Sequence, residues 1–344
     1  MRTQRARKEL RTQDSVSRRA FVGGLLGAAS LYRRPLMAAE YTFTQYHNQT
    51  ASSSLHQRLV QMWAAIRTET DGRVDTQVLA ENNKIQGSDP AALKLLLDGE
   101  IQFFTLMGGI LGTVVPAAEV QQVPFAFRSA AHAHRAMDGA LGAYLREEMA
   151  AKGIVGFAVG AFDNGMRQIT TTMRPIAAPA DLAGVRMRVP AGQLVADTFK
   201  ALGAEPVTIN SNAIYDALKS GAVDAQENPL ALVDLFKLYE VVRYVSLTNH
   251  MWSGFNLLAN QDAWRRLPAA LTTIIDRNVR KHVRLQRDDQ ERINTRLRAD
   301  LARRGLVFND VAPAPFRKQV SGVYTTWKER LGTKCWGLLE QAIG

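Results

Sequence analysis

The chain holds a single cysteine, Cys335, among 344 residues, so no intramolecular disulfide can staple it. After residue 39 it nowhere reaches the roughly 18 uninterrupted apolar residues that a membrane-spanning helix needs. Histidine is scarce: His47, His56, His132, His134, His250 and His282 are all there are. His132 and His134 lie two apart, which on a helix turns them to different sides, and no His-Glu-x-x-His or paired-cysteine spacing suggests zinc. A glycine-rich phosphate loop, a nucleophile elbow and a kinase signature are missing too. Gly108-Gly109 follows a strand-like run but no Lys-Ser/Thr comes after it, which favours a close backbone approach over a phosphate nest. These absences leave no catalytic constellation, no metal site and no cofactor motif.

What is present is an ordinary globular composition, 46% hydrophobic, in a chain long enough for two domains. The formal charge of +11 suggests a polyanion partner until its location is considered. Residues 1–39 carry nine basic side chains against Glu9 and Asp14, which is +7 of that total and leaves +4 for the rest. The remainder does not argue for nucleic acid. The basic segment reads as an address: Ser17-Arg18-Arg19-Ala20-Phe21-Val22 precedes the short apolar run Gly23–Ser30, and Met37-Ala38-Ala39 offers a cleavage site before Glu40. The order is that of a twin-arginine signal, so residues 1–39 are expected to be a signal peptide directing export to the periplasm.

From Tyr41 onward, strands alternate with helices. Tyr41–His47 alternates as a strand, Ser52–Ser54 offers an N-cap, and Leu55, Leu59, Met62, Trp63 and Ile66 form one helical face. Val74–Leu79 and Ile101–Leu106 read as strands around a helix Pro90–Asp98. The pattern returns in Arg186–Val189, Ala191–Leu202, Val207–Ile209 and Asn212–Lys219, with Val155–Ala161 and Thr170–Thr172 as crossing strands between two α/β units. Ala269–Arg304 runs 36 residues without Pro or Gly, about 54 Å if continuous, as a brace across two domains or as a plain exposed helix. A last amphipathic helix is expected over Phe316–Leu331.

Two arginines fall where strands end: Arg167 after Asp163-Asn164-Gly165-Met166, and Arg188 in Arg186-Met187-Arg188-Val189-Pro190. Guanidinium groups so placed suit bidentate clamping of a carboxylate, although by residue type alone a surface ion pair is the better reading of either.

The segments Asp181–Pro190, Thr198–Pro206, Ile214–Pro229, Tyr239–Val241 and Leu247–His250 are long, ordered and closely spaced. Together they resemble the DctP-type solute-binding proteins of TRAP (tripartite ATP-independent periplasmic) transporters, with the resemblance covering Tyr41 to the C-terminal helix. The resemblance implies an α/β, two-lobed periplasmic binding protein fold of type II-like design, with a cleft between lobes and a long helix spanning both. It implies lobe I at 40–164 plus 254–293 and lobe II at 165–253 plus 294–344. It assigns the ligand carboxylate to Arg188, an assisting role to Arg167, and a ligand-facing position to Asn228 with Glu227 beside it. Asn48, Gln49, Met107 and Gly108 fall at cleft-lining positions of the first lobe, and Asn210 and Ser211 at those of the second. Relatives often carry an aromatic wall where Asn210-Ser211 stand, so Trp252 either replaces that wall or is core. Relatives that bind amino-sugar acids place an acid near Met107, and its absence there argues against an amine-bearing ligand.

The implied protein is not an enzyme. It is a monomeric binding subunit that captures a small carboxylate, a hydroxylated or sugar acid, and passes it to small and large membrane subunits driven by an ion gradient. The alternatives are a receptor serving a sensor kinase, and a periplasmic enzyme that would depend on His47, His56 or His250.

Overall fold

The computed structural model describes residues 38–344, and the expected signal segment, but for Ala38 and Ala39, lies outside them. The described residues form ten strands: β1 (Tyr41–His47), β2 (Val74–Leu79), β3 (Phe103–Met107), β4 (Ile154–Thr171), β5 (Arg186–Val189), β6 (Glu205–Thr208), β7 (Ala225–Pro229), β8 (Tyr244–Leu247), β9 (Trp252–Asn260) and β10 (Val307–Asp310). They run in the order β2-β1-β3-β9-β4-β7-β5-β6, with β8 beside β4 and β10 beside β8. β1 is parallel to β2 and β3, and β5 to β6 and β7. These parallel neighbours are the product of the alternating strand-helix pattern, because a parallel return needs a crossover helix. The first helix, Ser54–Glu69, starts where the serines predict: Ser53 Oγ accepts from the backbone N–H of His56 at 3.1 Å.

β4 joins the two lobes. The sequence reads two strands here, Val155–Ala161 and Thr170–Thr172, with Asp163-Asn164-Gly165 between them, yet Ile154–Thr171 is one strand of 18 residues. Its first part, Ile154–Met166, pairs antiparallel with β9 in one lobe, and Arg167–Thr171 pairs with β7 in the other. The changeover falls at a register shift between Asp163 and Gly165. Gly165 sits there at φ +100°, and a Cβ would lie 3.0 Å from the Asn294 amide nitrogen, so only glycine fits comfortably.

The long helix Ala269–Arg303 packs on β4, on the Ser54–Glu69 helix and on the short helix Leu230–Leu235, so it braces both lobes. Its buried face is more polar than its apolar spacing suggests, with Asn278, His282, Gln286 and Gln290 all buried. Gln286 explains why. Its amide accepts from the Asp163 N–H at 2.8 Å and donates to the Asp163 carbonyl at 2.7 Å, completing the backbone of β4 where the strand changes sheets.

The last helix, Ser321–Ile343, is longer than expected and turns at Gly332, φ +78°. It packs on the helices Ala130–Asp138 and Ala140–Ala150 as well as on Gln193–Ala201. Assigning all of 294–344 to the second lobe therefore fails for this helix. Its apolar residues Trp327, Leu331, Cys335 and Leu339 are buried in the main core shared with the first lobe.

Candidate carboxylate site in the cleft

Strands β4, β5 and β7 deliver the charged groups of the cleft. On β5, Met187 and Val189 face one side of the sheet and Arg188 the other, by the two-residue alternation of a strand. Arg188 is 2% exposed. Its Nε donates to the Ile209 carbonyl at 2.8 Å, and among the described residues neither terminal nitrogen has a protein acceptor. Burial pulls its pKa down to about 9, with Arg167 pushing the same way while Glu227 and Asp89 oppose, so Arg188 stays a cation at neutral pH.

Arg167, at the start of the second part of β4, is equally buried but fully engaged. Its Nε and Nη2 hold the Glu227 carboxylate, the latter at 2.6 Å, and Nη2 also donates to the Glu227 carbonyl at 2.6 Å. Nη1 donates to Ser253 Oγ at 3.1 Å, and Nη2 reaches Asn228 Oδ1 at 3.2 Å. Burial alone would raise the Glu227 pKa; the Arg167 charge and hydrogen bonds from His250 and Arg167 overcome it and hold the carboxyl at about 2. His250 is buried, and its pKa is lowered mainly by that burial, so it is neutral. With Nε2 3.1 Å from the acceptor-only Glu227 carboxylate, Nε2 carries the proton and Nδ1 accepts from Thr248 Oγ1 at 2.7 Å.

The first lobe adds a polar wall. Asn48 Nδ2 donates to Asp89 Oδ2 at 2.8 Å and Asn82 Nδ2 to Asp89 Oδ1 at 2.7 Å. Gln49 donates to Asn164 Oδ1 at 3.2 Å, and Asn164 in turn to Ser253 Oγ at 3.2 Å. Between the walls lies a small cavity. Three contacts link the two halves beyond the cavity lining. Asn210 Nδ2 donates to the Gly87 carbonyl at 3.2 Å, and Glu119 Oε1 accepts from the Gln193 N–H at 2.8 Å. The third point is Gly192, where a Cβ would stand 3.3 Å from the Gly109 carbonyl oxygen.

Of the residues singled out from sequence, Arg188, Arg167, Asn228, Asn48, Met107 and Ser211 line this cavity. Glu227 and Gln49 stand behind the wall, holding Arg167 and Asn164. Asn210 is outside the lining and bonds to Gly87 of the other half. Gly108 is a packing glycine: a Cβ on it would run into the Ala118 carbonyl at 2.9 Å. Trp252 is core. Its indole N–H donates to Asp163 Oδ1 at 2.8 Å, and its ring packs edge-on to Phe127 and His134. Strand alternation accounts for that, since Ser253 and Phe255 share the cavity side of β9 and Trp252 must face away. The aromatic wall comes instead from Phe236 and Phe255. The expectation that no acid faces the cavity near Met107 is corrected as well, because Asp89 lines it from the N-terminal turn of the helix Ser88–Asp98. His47 and His56 are outside the cavity lining and bond to each other at 2.8 Å.

An uncharacterised protein of Sinorhizobium fredii is 37% identical over 209 residues, 61% of this chain but only 38% of that protein's length. A solute-binding protein of Roseobacter denitrificans is 31% identical over 239 residues, covering 70% of this chain and 72% of the relative. The crystal structure of a TRAP periplasmic solute binding protein from the same organism, with bound β-D-glucuronate, superposes with a TM-score of 0.84. It is 25% identical, and the match covers 88% of this chain and 99% of that one. The profile of bacterial extracellular solute-binding protein family 7, DctP, matches residues 46–330, and the chain belongs to that family.

Proposed function

We propose that this chain is the extracytoplasmic solute-binding subunit of a TRAP transporter. In this reading it captures one small hydroxylated or sugar acid in the cleft and presents it to the small and large membrane subunits, which use an ion gradient for uptake. The observation that carries the proposal is Arg188, a buried cation whose two terminal nitrogens find no protein acceptor among the described residues beside the cavity it lines. Leaving such a charge uncompensated is costly, and a ligand carboxylate accepting both N–H groups offsets that cost. Asn228, Ser211 and Asn48 supply donors and acceptors for hydroxyl groups, and Phe236 and Phe255 cover the apolar face of a sugar ring. The glucuronate-bound relative belongs to the same ligand class.

Lobe I then consists of 40–164 with 254–293 and lobe II of 165–253 with 294 onward, except that the last helix straddles both. The bend at Gly165 in β4 is the hinge, and closure over the ligand is the signal read at the membrane. Residues 1–39 act as the twin-arginine signal for periplasmic export, and the mature protein works as a monomer. A thermal-shift screen of the chain from Glu40 onward against organic acids tests the reading. At least one hydroxylated acid should raise the melting temperature, with affinity about 100-fold weaker in Arg188→Ala, the loss of roughly two charge-assisted hydrogen bonds. No shift with any acid, or a shift undiminished in Arg188→Ala, refutes it.

A further inference from the structure

A second cavity shares no lining residue with the cleft. Gly332, at φ +78°, folds the helix Ser321–Ile343 back on itself. Lys328 and Glu340 stand about 18 Å apart along a straight helix, yet here they form an ion pair at 2.9 Å. Between the two arms, the end of the helix Pro313–Gln319 and the segment Val123–Ala126 lies a cavity of about 460 Å³. Small-molecule sites run to roughly 300–1,000 Å³. Hydrogen bonds tie its walls together. Tyr324 Oη donates to the Pro124 carbonyl at 3.0 Å and Arg317 Nη2 to the Phe125 carbonyl at 2.8 Å. His132 Nε2 donates to the Ala342 carbonyl at 2.9 Å, which anchors the end of the second arm.

The lining is apolar with one charge left over. Phe125, Tyr324, Trp336, Leu339 and Ile343 supply its body. The other polar groups are largely spent on one another: the Tyr324 hydroxyl on Pro124, and both Lys328 and the Trp336 indole N–H on Glu340 Oε1, at 2.9 and 2.8 Å. Lys328 and Glu340 therefore cancel. Arg317 is different. It makes the single bond to the Phe125 carbonyl, and among the described residues its Nε and Nη1 have no acceptor and no carboxylate pairs with it. One cation with unspent donors thus stands at the edge of an aromatic and aliphatic surface.

We infer that this cavity is a second binding site, for an amphipathic organic monoanion such as an aryl or medium-chain alkyl carboxylate. The carboxylate accepts from the unspent guanidinium N–H groups of Arg317, and the hydrocarbon body covers Phe125, Trp336 and Ile343. Charge complementarity selects this occupant. A neutral apolar molecule leaves Arg317 unmatched, and a hydroxylated acid leaves the hydrocarbon walls in contact with polar groups. The inference uses no residue of the cleft and does not depend on what the cleft holds.

The probes are octanoate and 4-phenylbutyrate, with octanamide as the uncharged control, titrated by calorimetry into the chain from Glu40 onward. At least one acid should bind saturably at one site, about tenfold or more tighter than octanamide, the worth of a charge-assisted hydrogen bond. Arg317→Gln should weaken the acid about tenfold and leave octanamide unchanged. Thr325→Trp, at an exposed lining position, leaves the Arg317 bond intact, fills the space and should abolish binding of both. Arg188→Ala should change nothing, because the cleft is elsewhere. No saturable binding of either acid overturns the inference, and so does octanamide binding as tightly as octanoate. Loss in Arg188→Ala with retention in Arg317→Gln and Thr325→Trp moves the acids to the cleft and overturns it too. A dimer in sedimentation that Thr325→Trp abolishes, without binding of either acid, gives the groove to a second copy of the chain and overturns it as well.

Discussion

Arg167 and Arg188 are the same residue type, both 2% exposed and both on strands facing one cavity, yet they do opposite work. Arg167 spends every guanidinium nitrogen inside the protein, chiefly on Glu227, and so belongs to the scaffold that joins β4 to β7. Arg188 spends one nitrogen, on the Ile209 carbonyl, and its other two have no acceptor among the described residues. A buried arginine is therefore read by its pairing rather than by its burial. Paired, it is part of the fold; unpaired, it marks where a ligand belongs.

The comparison breaks most violently if Arg167 is made to resemble Arg188. Glu227→Ala leaves Arg167 and its hydrogen bonds without their anion in the interior, and should lower the unfolding free energy by about 3–5 kcal/mol in urea titrations. Acid does the same reversibly. Glu227 has a folded pKa of about 2 against the ordinary glutamate value of 4.5. Its contribution to stability is thus fully present above pH 4.5 and lost as pH falls from there toward 2. On the order of 3 kcal/mol should disappear across that window, and the loss should be missing in Glu227→Gln, as urea midpoints of the two proteins at about pH 7, 4 and 3 will read. The smallest effect is the most telling: Arg188→Ala should shift the ligand-free unfolding free energy by no more than about 1 kcal/mol. It removes an unpaired charge and one hydrogen bond to a carbonyl, two changes of opposite sign. A drop as large as that from Glu227→Ala would make Arg188 a second structural arginine and erase the distinction.

Much of this arrangement is legible in the order of the amino acids alone. Strand β1, the Ser53 cap and strand β5 follow from alternation and capping chemistry, and the α/β class follows from strands alternating with helices. Arg188 is legible through its motif. Its partner-free state is not, because pairing depends on which acid the fold brings within reach. In sequence Asp89 precedes the helix expected from Pro90; nothing local tells that the helix begins at Ser88 or that Asp89 lines a cavity. Placing Ser253 and Phe255 needs the facing of β9, which one tryptophan leaves ambiguous in sequence and its indole bond to Asp163 decides. The polar glutamines inside the long helix escape because amphipathic spacing counts apolar residues, whereas Gln286 is buried to complete a broken strand backbone.

The near-touch of Gly192 and the Gly109 carbonyl has a consequence of its own. On the proposed closure it is the door's stop: how far the two halves would swing shut is gauged by bare backbone on each side, with no side chain to yield. A methyl group at position 192 would act as a shim, holding the jaws ajar by a few tenths of an ångström even with every ligand-binding residue intact. A protein so altered would be a receptor that can grip its cargo and yet never finish the gesture by which it announces it.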